Sequence, residues 1–362
     1  MYQEISFPGL GLSFNPSRVA FSIGGKDFYW YGIIIAVGFL LAVAYALKRS
    51  RQFGLTQDNI IDMLICAVPT AIVFARAYYC LFAWDIYRDN PIRVLYIWEG
   101  GLAIYGGVIG AVLAVVVFTK VKKIRTSAML DIGGLGLLIG QAVGRWGNFI
   151  NREAHGGQTD SFLRMGLTDA SGTTVYVHPT FLYESLWNVL GLVILHFLSK
   201  RRKYDGQIFV MYLGWYGLGR VFIEGLRTDS LYIAGTNLRV SQLVAGICVV
   251  FAVVFLFYNR VFKEHEPEDL YVNVVARAAA EQAQTILTEE TVEATEEHVE
   301  AEETSEEDGA STEDGETDLE SEAVEPPEET EESLPEDGSA EPAGDADETT
   351  EKSTEIVESK AE

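Results

Sequence analysis

Residues 141–156 read QAVGRWGNFINREAHG and follow a long apolar run, AMLDIGGLGLLIG, at 128–140. Arg145, Asn148, Asn151, Glu153 and His155 therefore crowd the end of a segment suited to hydrocarbon. Charge beside lipid is costly unless it has partners or a task, so an intramembrane polar cluster marks a functional site by default. The bland alternative is a snorkelling arginine followed by an ordinary polar loop. Against it, two further segments repeat the pattern: His178, Tyr183 and Glu184 enter one apolar run, and Arg220, Glu224 and Arg227 lie on another. Gly217, Arg220, Glu224 and Arg227 recur at helical spacing and share one face. For Glu224 an internal Arg–Glu pair that fixes packing stands as a second reading. The arginines together point to function. Arg145, Arg220 and Arg227 meet at one depth with few carboxylates nearby, and a guanidinium presents a planar fork of donors suited to phosphate oxygens. The anion abundant at that depth is a phospholipid head group.

Glycine and tyrosine add detail. Gly136, Gly140 and Gly144 repeat every four residues, as do Gly106 and Gly110, and close helix contact explains both sets. Gly100-Gly101 and Gly106-Gly107 bracket LAIY and predict an interrupted helix with Tyr105 in the break, of the kind that lines cavities. Tyr29, Trp30 and Tyr31 are explained by an aromatic belt at the membrane interface without any function.

The elements that must position these groups are apolar spans. Crossing a bilayer takes about 20 helical residues, and seven stretches qualify: 29–47, 60–83, 97–119, 128–145, 180–199, 207–225 and 240–260. Basic clusters follow spans one, three, five and seven: Lys48, Arg49 and Arg51; Lys120, Lys122, Lys123 and Arg125; Lys200, Arg201, Arg202 and Lys203; Arg260 and Lys263. The positive-inside rule then sets these ends in the cytoplasm, the N-terminus outside and the C-terminus inside. RVAFSI-GG-KDFYW at 18–30 predicts a hairpin turning at Gly24-Gly25, and TTVYV at 173–177 predicts a further strand element. Both belong to a small extracytoplasmic cap. The fold class is an all-α, seven-helix polytopic membrane protein with that cap.

The net charge of −25 conceals two different objects. Residues 264–362 hold 37 of the 52 acidic residues and only 3 of the 27 Lys+Arg, whereas residues 1–263 carry 24 basic against 15 acidic groups. The expected organisation is a membrane domain over 1–263 and a cytoplasmic acidic tail over 264–362. The tail is too poor in apolar surface to offset the entropy of ordering, so disorder is expected there. Cys66, Cys80 and Cys248 lie in apolar runs without metal or CxxC spacing and read as small buried hydrophobes, with no metal site. MYQEISFPGLGL lacks the pattern of a cleavable signal peptide.

WYG at 30–32, EGGLAIYGGVIG at 99–110, GRWGNFINREAHG at 144–156, HPTFLYES at 178–185 and GLGRVFIEGLR at 217–227 occur in this order on this topology. Together they resemble the prolipoprotein diacylglyceryl transferase family of the bacterial inner membrane, over roughly residues 18–262. The motif GRxGNFxNxExxG is the specific one, and the tail lies outside the resemblance. The resemblance implies transfer of the diacylglyceryl group of phosphatidylglycerol to the lipobox cysteine thiol of prolipoprotein signal peptides. The products are a thioether and glycerol phosphate. It implies membrane lipid and prolipoproteins as partners, no nucleic acid, and no cofactor or metal. It assigns Arg145 and Asn148 to the phosphate and glyceryl oxygens, with Asn151, Glu153 and Gly156 completing the motif. Gly156 would permit a backbone turn near the head group. Tyr31 becomes a site residue. Arg220 would stabilise the departing phosphate, with Glu224 orienting it. Arg227 and His178 join the substrate-binding set, with a purely architectural role open for both.

One residue departs from the family pattern. Some members carry a histidine, proposed as the base, where this chain has Tyr105. A phenol, with its usual pKa of about 10, is a poor base at neutral pH, so Tyr105, counted with the catalytic residues, either donates a hydrogen bond only or leaves the base to another group. A thiol's usual value of about 8.5 would fall beside arginines, so the positive field can make thiolate without a dedicated base. Broken helices and intramembrane charge also suit a transporter. Against that, neither GRWGNFIN nor HPTFLYE repeats, and the polar groups lie at the outer ends of spans rather than the midplane. A scaffolding role for the acidic tail, recruiting basic partners, is compatible with the enzyme.

Overall fold

The computed structural model describes residues 2–228, 230–232, 235, 236 and 238–307. Contacts divide the chain into Met1–Glu296 and Glu297–Glu362, and the first unit holds the sheet, the apolar helices and the site. The chain begins with strands β1 (Tyr2–Phe7) and β2 (Leu12–Phe14), then the hairpin β3 (Val19–Ile23) and β4 (Lys26–Tyr29). The hairpin turns on Gly24 and Gly25 with φ of 58° and 77°, the paired left-handed geometry that a two-residue turn requires and glycine permits. Helix α1 (Trp30–Arg49) follows directly. Thr56 and Asn59 form a reciprocal capping box that starts α2 (Gln57–Phe82). A short helix α3 (Trp84–Tyr87) and 3-10 turns lead to α4 (Ile104–Val121) and α5 (Thr126–Asn151). Strands β5 (Met165–Asp169) and β6 (Thr174–Val177) precede α6 (Thr180–Ser199), α7 (Gln207–Glu224), α8 (Val240–Val261) and α9 (Tyr271–Glu307).

Six helices are long and apolar enough to cross a membrane: Trp30–Phe53, Gln57–Phe82, Ile104–Val121, Thr126–Asn151, Thr180–Ser199 and Val240–Val261. The protein is thus a mostly helical membrane protein with a small strand region. Helix α7 falls outside the apolar set because Arg220, Glu224 and three glycines lower its hydropathy over 18 residues. It nevertheless packs on α5, α6 and α8. Exposed Ile35, Leu40, Ile65, Val73, Val250 and Val254 on the bundle surface are what lipid contact requires. A buried core of Phe53, Ile60, Met129, Leu135, Leu138 and Ile208 fills the end of the bundle opposite the strands.

The strands form a four-stranded sheet in the order β2-β1-β5-β6, separate from the β3–β4 hairpin. Ile5, Phe7, Met165, Leu167 and Val177 make its core and rest on Phe149 and Phe181 of α5 and α6. The expected hairpin and 173–177 strand are present, and β1 and β2 join them from a segment that carried no strand expectation.

Three expectations need correction. The third span begins at Ile104 rather than 97, and α4 runs unbroken through Gly106 and Gly107, with Tyr105 in its first turn. The break lies only at Gly100 and Gly101, which have φ of 87° and 76°. Gly106 and Gly110 are a seam, since a Cβ at either would lie 2.4 Å from the Phe74 carbonyl oxygen or 2.6 Å from its Cβ on α2. Disorder from residue 264 does not hold over 271–307, where α9 forms. Its VVARAAAEQAQ stretch has high helix propensity, and its first residue is tied down. The Tyr271 N–H donates to Asp205 Oδ2 at 2.8 Å, and the Arg125 guanidinium lies over the Tyr271 ring. The rest of the tail, 308–362, lies outside the described residues. Among the cysteines Cys80 is buried and Cys248 intermediate, but Cys66 is exposed on an apolar face of α2, where lipid rather than protein would cover it.

Candidate active site

Four helix ends meet beneath the cap: the C-termini of α5 and α7 and the N-termini of α6 and α8. Each brings polar groups that an apolar helix tolerates only where they find one another. At the centre is Glu184 of α6, whose side chain is 4% exposed. Arg145 Nη2 from α5 approaches its Oε2 at 2.6 Å. Arg220 Nη1 from α7 donates to its Oε1 at 3.1 Å, and Arg227 Nη1 lies 3.6 Å from the same oxygen. Arg220 Nη2 also donates to Glu224 Oε2, one helical turn on. Ser241 Oγ of α8 donates to Glu224 Oε1 at 2.9 Å, and Arg239 Nη1 donates to the Glu224 carbonyl.

The network continues toward the cap. Arg145 Nη1 donates to Asn148 Oδ1 at 3.3 Å. Asn148 Nδ2 and Asn151 Nδ2 both donate to Glu153 Oε1, at 3.1 and 3.2 Å. The turn that returns Glu153 toward its own helix uses Arg152 and Ala154, both with φ of 56°. Arg152 is pinned by donation to the carbonyls of Gln3 and Pro16. Its burial, then the nearby Arg18 charge, lower its pKa from the usual arginine value, and it remains a cation.

Gly156 has a different task from the expected turn. Its N–H donates to the His178 carbonyl at 3.0 Å, and it bridges to Arg227. A Cβ there would lie 2.7 Å from the His178 Cβ and 3.0 Å from the Leu226 carbonyl oxygen. The requirement is close approach of three backbones, and φ at Gly156 is ordinary. The Gly157 N–H donates to Leu226 O at 2.8 Å, so the segment after α5 ties the segment after α7 to the one before α6. His178 Nδ1 faces Tyr183 OH at 3.4 Å.

Tyr31, in the first turn of α1, lies against Gly147 of α5. A Cβ at 147 would be 2.7 Å from its ring, so only glycine admits it between Arg145 and Asn148. The site thus gathers Arg145, Asn148, Asn151, Glu153, Gly156, His178, Arg220, Glu224 and Arg227, with Tyr31 beside them. Tyr105 is not tied to them: its hydroxyl has no hydrogen-bond partner among the described residues, and α4 packs mainly on α2.

Glu184, which the sequence pattern puts at the outer end of span five without a role, is the hub. The signal was a carboxylate four residues into an apolar helix. Ser241 and Arg239 gave no such signal, since a serine and an arginine flanking a span are ordinary.

Among the described residues in direct ionic contact, Arg145, Arg220 and Arg227 oppose Glu184 and Glu224, leaving one positive charge before Arg239 is counted. A site of this sign, with forked donors and a lipid-exposed surround, can bind a phosphodiester and stabilise charge that accumulates on it.

Comparison with known proteins agrees with that chemistry. The family model for prolipoprotein diacylglyceryl transferase matches residues 18–258. A relative from Bacillus velezensis named phosphatidylglycerol–prolipoprotein diacylglyceryl transferase is 44% identical over 257 residues, covering 69% of this chain and 94% of the relative. Proteins of the same name from Bacillus licheniformis and Halalkalibacterium halodurans are 43% and 42% identical, over 70% and 67% of this chain and 94% and 86% of their own lengths.

Proposed function

The chain belongs to the prolipoprotein diacylglyceryl transferase family, and from that premise and the site chemistry we infer that it is a bacterial multi-pass membrane enzyme, a phosphatidylglycerol–prolipoprotein diacylglyceryl transferase. Its substrates are phosphatidylglycerol and a prolipoprotein.

The reaction is a displacement at carbon. The lipobox cysteine thiolate attacks the glyceryl carbon that bears the phosphate ester. A C–S bond forms, the C–O bond to phosphate breaks, and glycerol phosphate leaves. The thiol proton passes to solvent at the cap end before attack. Thiolate and phosphodiester carry one negative charge each, and the products are a neutral thioether and a phosphomonoester dianion. Charge therefore accumulates on the phosphate as the bond breaks, and cations fixed around it bind the transition state better than the substrate. Arg145, with Asn148, holds the head-group phosphate and glyceryl oxygens; Asn151, Glu153 and Gly156 hold that segment in place. Arg220, oriented by Glu224 and Glu184, stabilises the departing phosphate. Arg227 and His178 line the substrate channel, and Tyr31 borders the head group. The same positive field lowers the thiol pKa, and Tyr105 is no base. The observation that carries this reading is the convergence of Arg145, Arg220 and Arg227 on one buried carboxylate.

The membrane domain crosses seven times, counting α7, with the N-terminus and cap outside and the C-terminus inside. Supporting this are the basic clusters after α1, α4, α6 and α8, all at the end away from the cap. The acidic tail is cytoplasmic.

The test is direct. Purified protein is mixed with acyl-labelled phosphatidylglycerol and a synthetic lipobox peptide. The peptide should gain one diacylglyceryl group, with one glycerol phosphate released per peptide. Absence of modified peptide, or modification of a peptide whose lipobox cysteine is replaced by serine, would overturn the reading.

A further inference from the structure

Helices α6 and α7 are joined by a reciprocal clasp just inward of the site. Trp187 and Trp215 stack with ring centroids 4.3 Å apart and planes 14° from parallel. Trp187 Nε1 donates to the Trp215 carbonyl at 2.9 Å, and Trp215 Nε1 donates to the Trp187 carbonyl at 3.0 Å. Each indole sits on a glycine of the opposite helix. A Cβ at Gly191 would lie 2.2 Å from Trp215 Nε1, and one at Gly219 would lie 2.4 Å from Trp187 Nε1. Both glycines fall four residues after the tryptophan of their own helix, so the arrangement is two-fold in pattern. Hydrophobic burial alone would not need these donors or these seats; with them, the helices have one separation and one register.

The clasp lies three residues, or about 4.5 Å of helix, from Glu184, and Arg220 directly follows Gly219. A second, separate tie joins α6 to α5. Trp146 Nε1 donates to Ser185 Oγ at 3.2 Å, and Ser185 Oγ donates to the Ala142 carbonyl at 2.9 Å. Trp146 neighbours Arg145, and Ser185 neighbours Glu184. The hub carboxylate is therefore held on one side against the helix of Arg145 and on the other against the helix of Arg220.

We propose that Trp187 and Trp215 are positioning residues for the transfer step, fixing Arg220 against Glu184 so that its guanidinium meets the phosphate as it departs, while Ser185 fixes the Arg145 side independently. The proposal rests on the roles given above to Arg145 and Arg220, and it separates two kinetic effects. Disturbing the tryptophan clasp lowers kcat, because Arg220 acts when charge has moved onto the leaving group. Disturbing the serine tie raises KM for phosphatidylglycerol, because Arg145 holds the bound head group.

The experiment uses the full-length protein with phosphatidylglycerol in mixed micelles and a lipobox peptide. Trp187→Phe and Trp215→Phe keep an aromatic ring and remove the donor. Each should lower kcat by about tenfold, the scale of a sub-ångström misplacement of a catalytic group, with KM for phosphatidylglycerol within about twofold. Ser185→Ala should do the reverse. In an Arg220→Lys background, which should itself lower kcat, the tryptophan substitutions should cost less than about twofold more, because the group they position is already impaired. Multiplying effects in that double variant would show general loosening of the bundle and overturn the proposal. So would unchanged kcat in the tryptophan variants beside an impaired Arg220→Lys enzyme. If Arg220→Lys alone is fully active, the reading of the site fails first. Should the phenylalanine variants not fold, site-specific replacement of Trp215 by its benzothiophene analogue removes only the N–H, and unchanged kcat there would equally overturn the proposal.

Discussion

Replacing Glu184 by glutamine tests whether one carboxylate organises the site. The substitution keeps volume and shape and removes one charge. In the native arrangement Arg145, Arg220 and Arg227 approach this side chain at 2.6, 3.1 and 3.6 Å, and it is 4% exposed. Removing one partner of a buried ion pair costs about 3–5 kcal/mol, because the other charge stays desolvated. Here the arginine side chains are 12–21% exposed, so water recovers part of the loss and the lower bound, about 3 kcal/mol, is the better expectation. For a domain of this size that lowers the melting temperature by roughly 6–12 °C.

The kinetic consequence has an opposite sign for binding and turnover. The charge in direct contact rises from one positive to two, so phosphatidylglycerol should bind at least as tightly as to the native enzyme. Arg220 loses one of its two carboxylate partners and its fixed direction, so kcat should fall by about 10²-fold, as when an oriented donor is lost from an anion site. Melting in detergent and steady-state kinetics over a phosphatidylglycerol titration measure both. A Glu184→Gln enzyme with native melting and native kcat would show that the arginines are organised without Glu184, and the charge argument would be wrong.

Arg145→Ala should abolish detectable transfer, whereas Tyr105→Phe should keep substantial activity; near-total loss in a folded Tyr105→Phe enzyme would mean the hydroxyl takes part in the chemistry. Truncation after Lys263 removes the Tyr271 N–H from Asp205 and the α9 backbone from Gly54, and should cost about 1–3 kcal/mol in a melting experiment while turnover per folded molecule survives. Truncation after Glu296 should change neither, so equal melting of the two truncations would sink the idea that the root of α9 braces the bundle. Asp169 is held below the usual carboxylate pKa, first by the Ser171 hydroxyl and then by the Thr173 N–H, in the β5–β6 turn. A depressed folded value stabilises above the unfolded pKa of about 3.9 and is lost as pH falls through the folded one. The stability difference between native protein and Asp169→Asn should therefore be present at pH 6 and shrink below pH 4; a pH-independent difference would contradict it.

Much of this arrangement was legible in the sequence because membrane burial sharpens the rules. Arg145, Asn148, Arg220 and Glu224 stood out since lipid makes every intramembrane charge expensive, and they do meet. The β3–β4 hairpin was readable from Gly24-Gly25, whose paired left-handed angles few other residues adopt. What failed depended on partners that one-dimensional patterns do not carry. Gly106 and Gly107 read as a break because glycine serves both flexible turns and close helix seams, and only the facing residues of α2 decide between them. At Gly156 it is again the neighbours, His178 and Leu226, that require a glycine, and a local pattern does not carry them. Strand β1 finds its partner β5 more than 150 residues away, and β2 adds only three residues along its other edge, so the local pattern marks neither. The start of α9 was lost in the acidity of the whole tail, although its first eighteen residues hold five alanines and one acid.

The charge count explains why so many ionic groups are gathered at one lipid-facing site. With Arg239, which donates to the Glu224 carbonyl, and Glu153, which Asn148 and Asn151 tie to the site, four guanidiniums stand with three carboxylates among the described residues. Thiolate and phosphodiester together bring two negative charges, and the departing monoester keeps both. A site whose described charges sum to positive draws in anionic reactants. A site with the arginines but without Glu184 and Glu224 would hold the dianionic product too firmly to release it. The carboxylates aim the guanidiniums and keep the positive surplus of the site small.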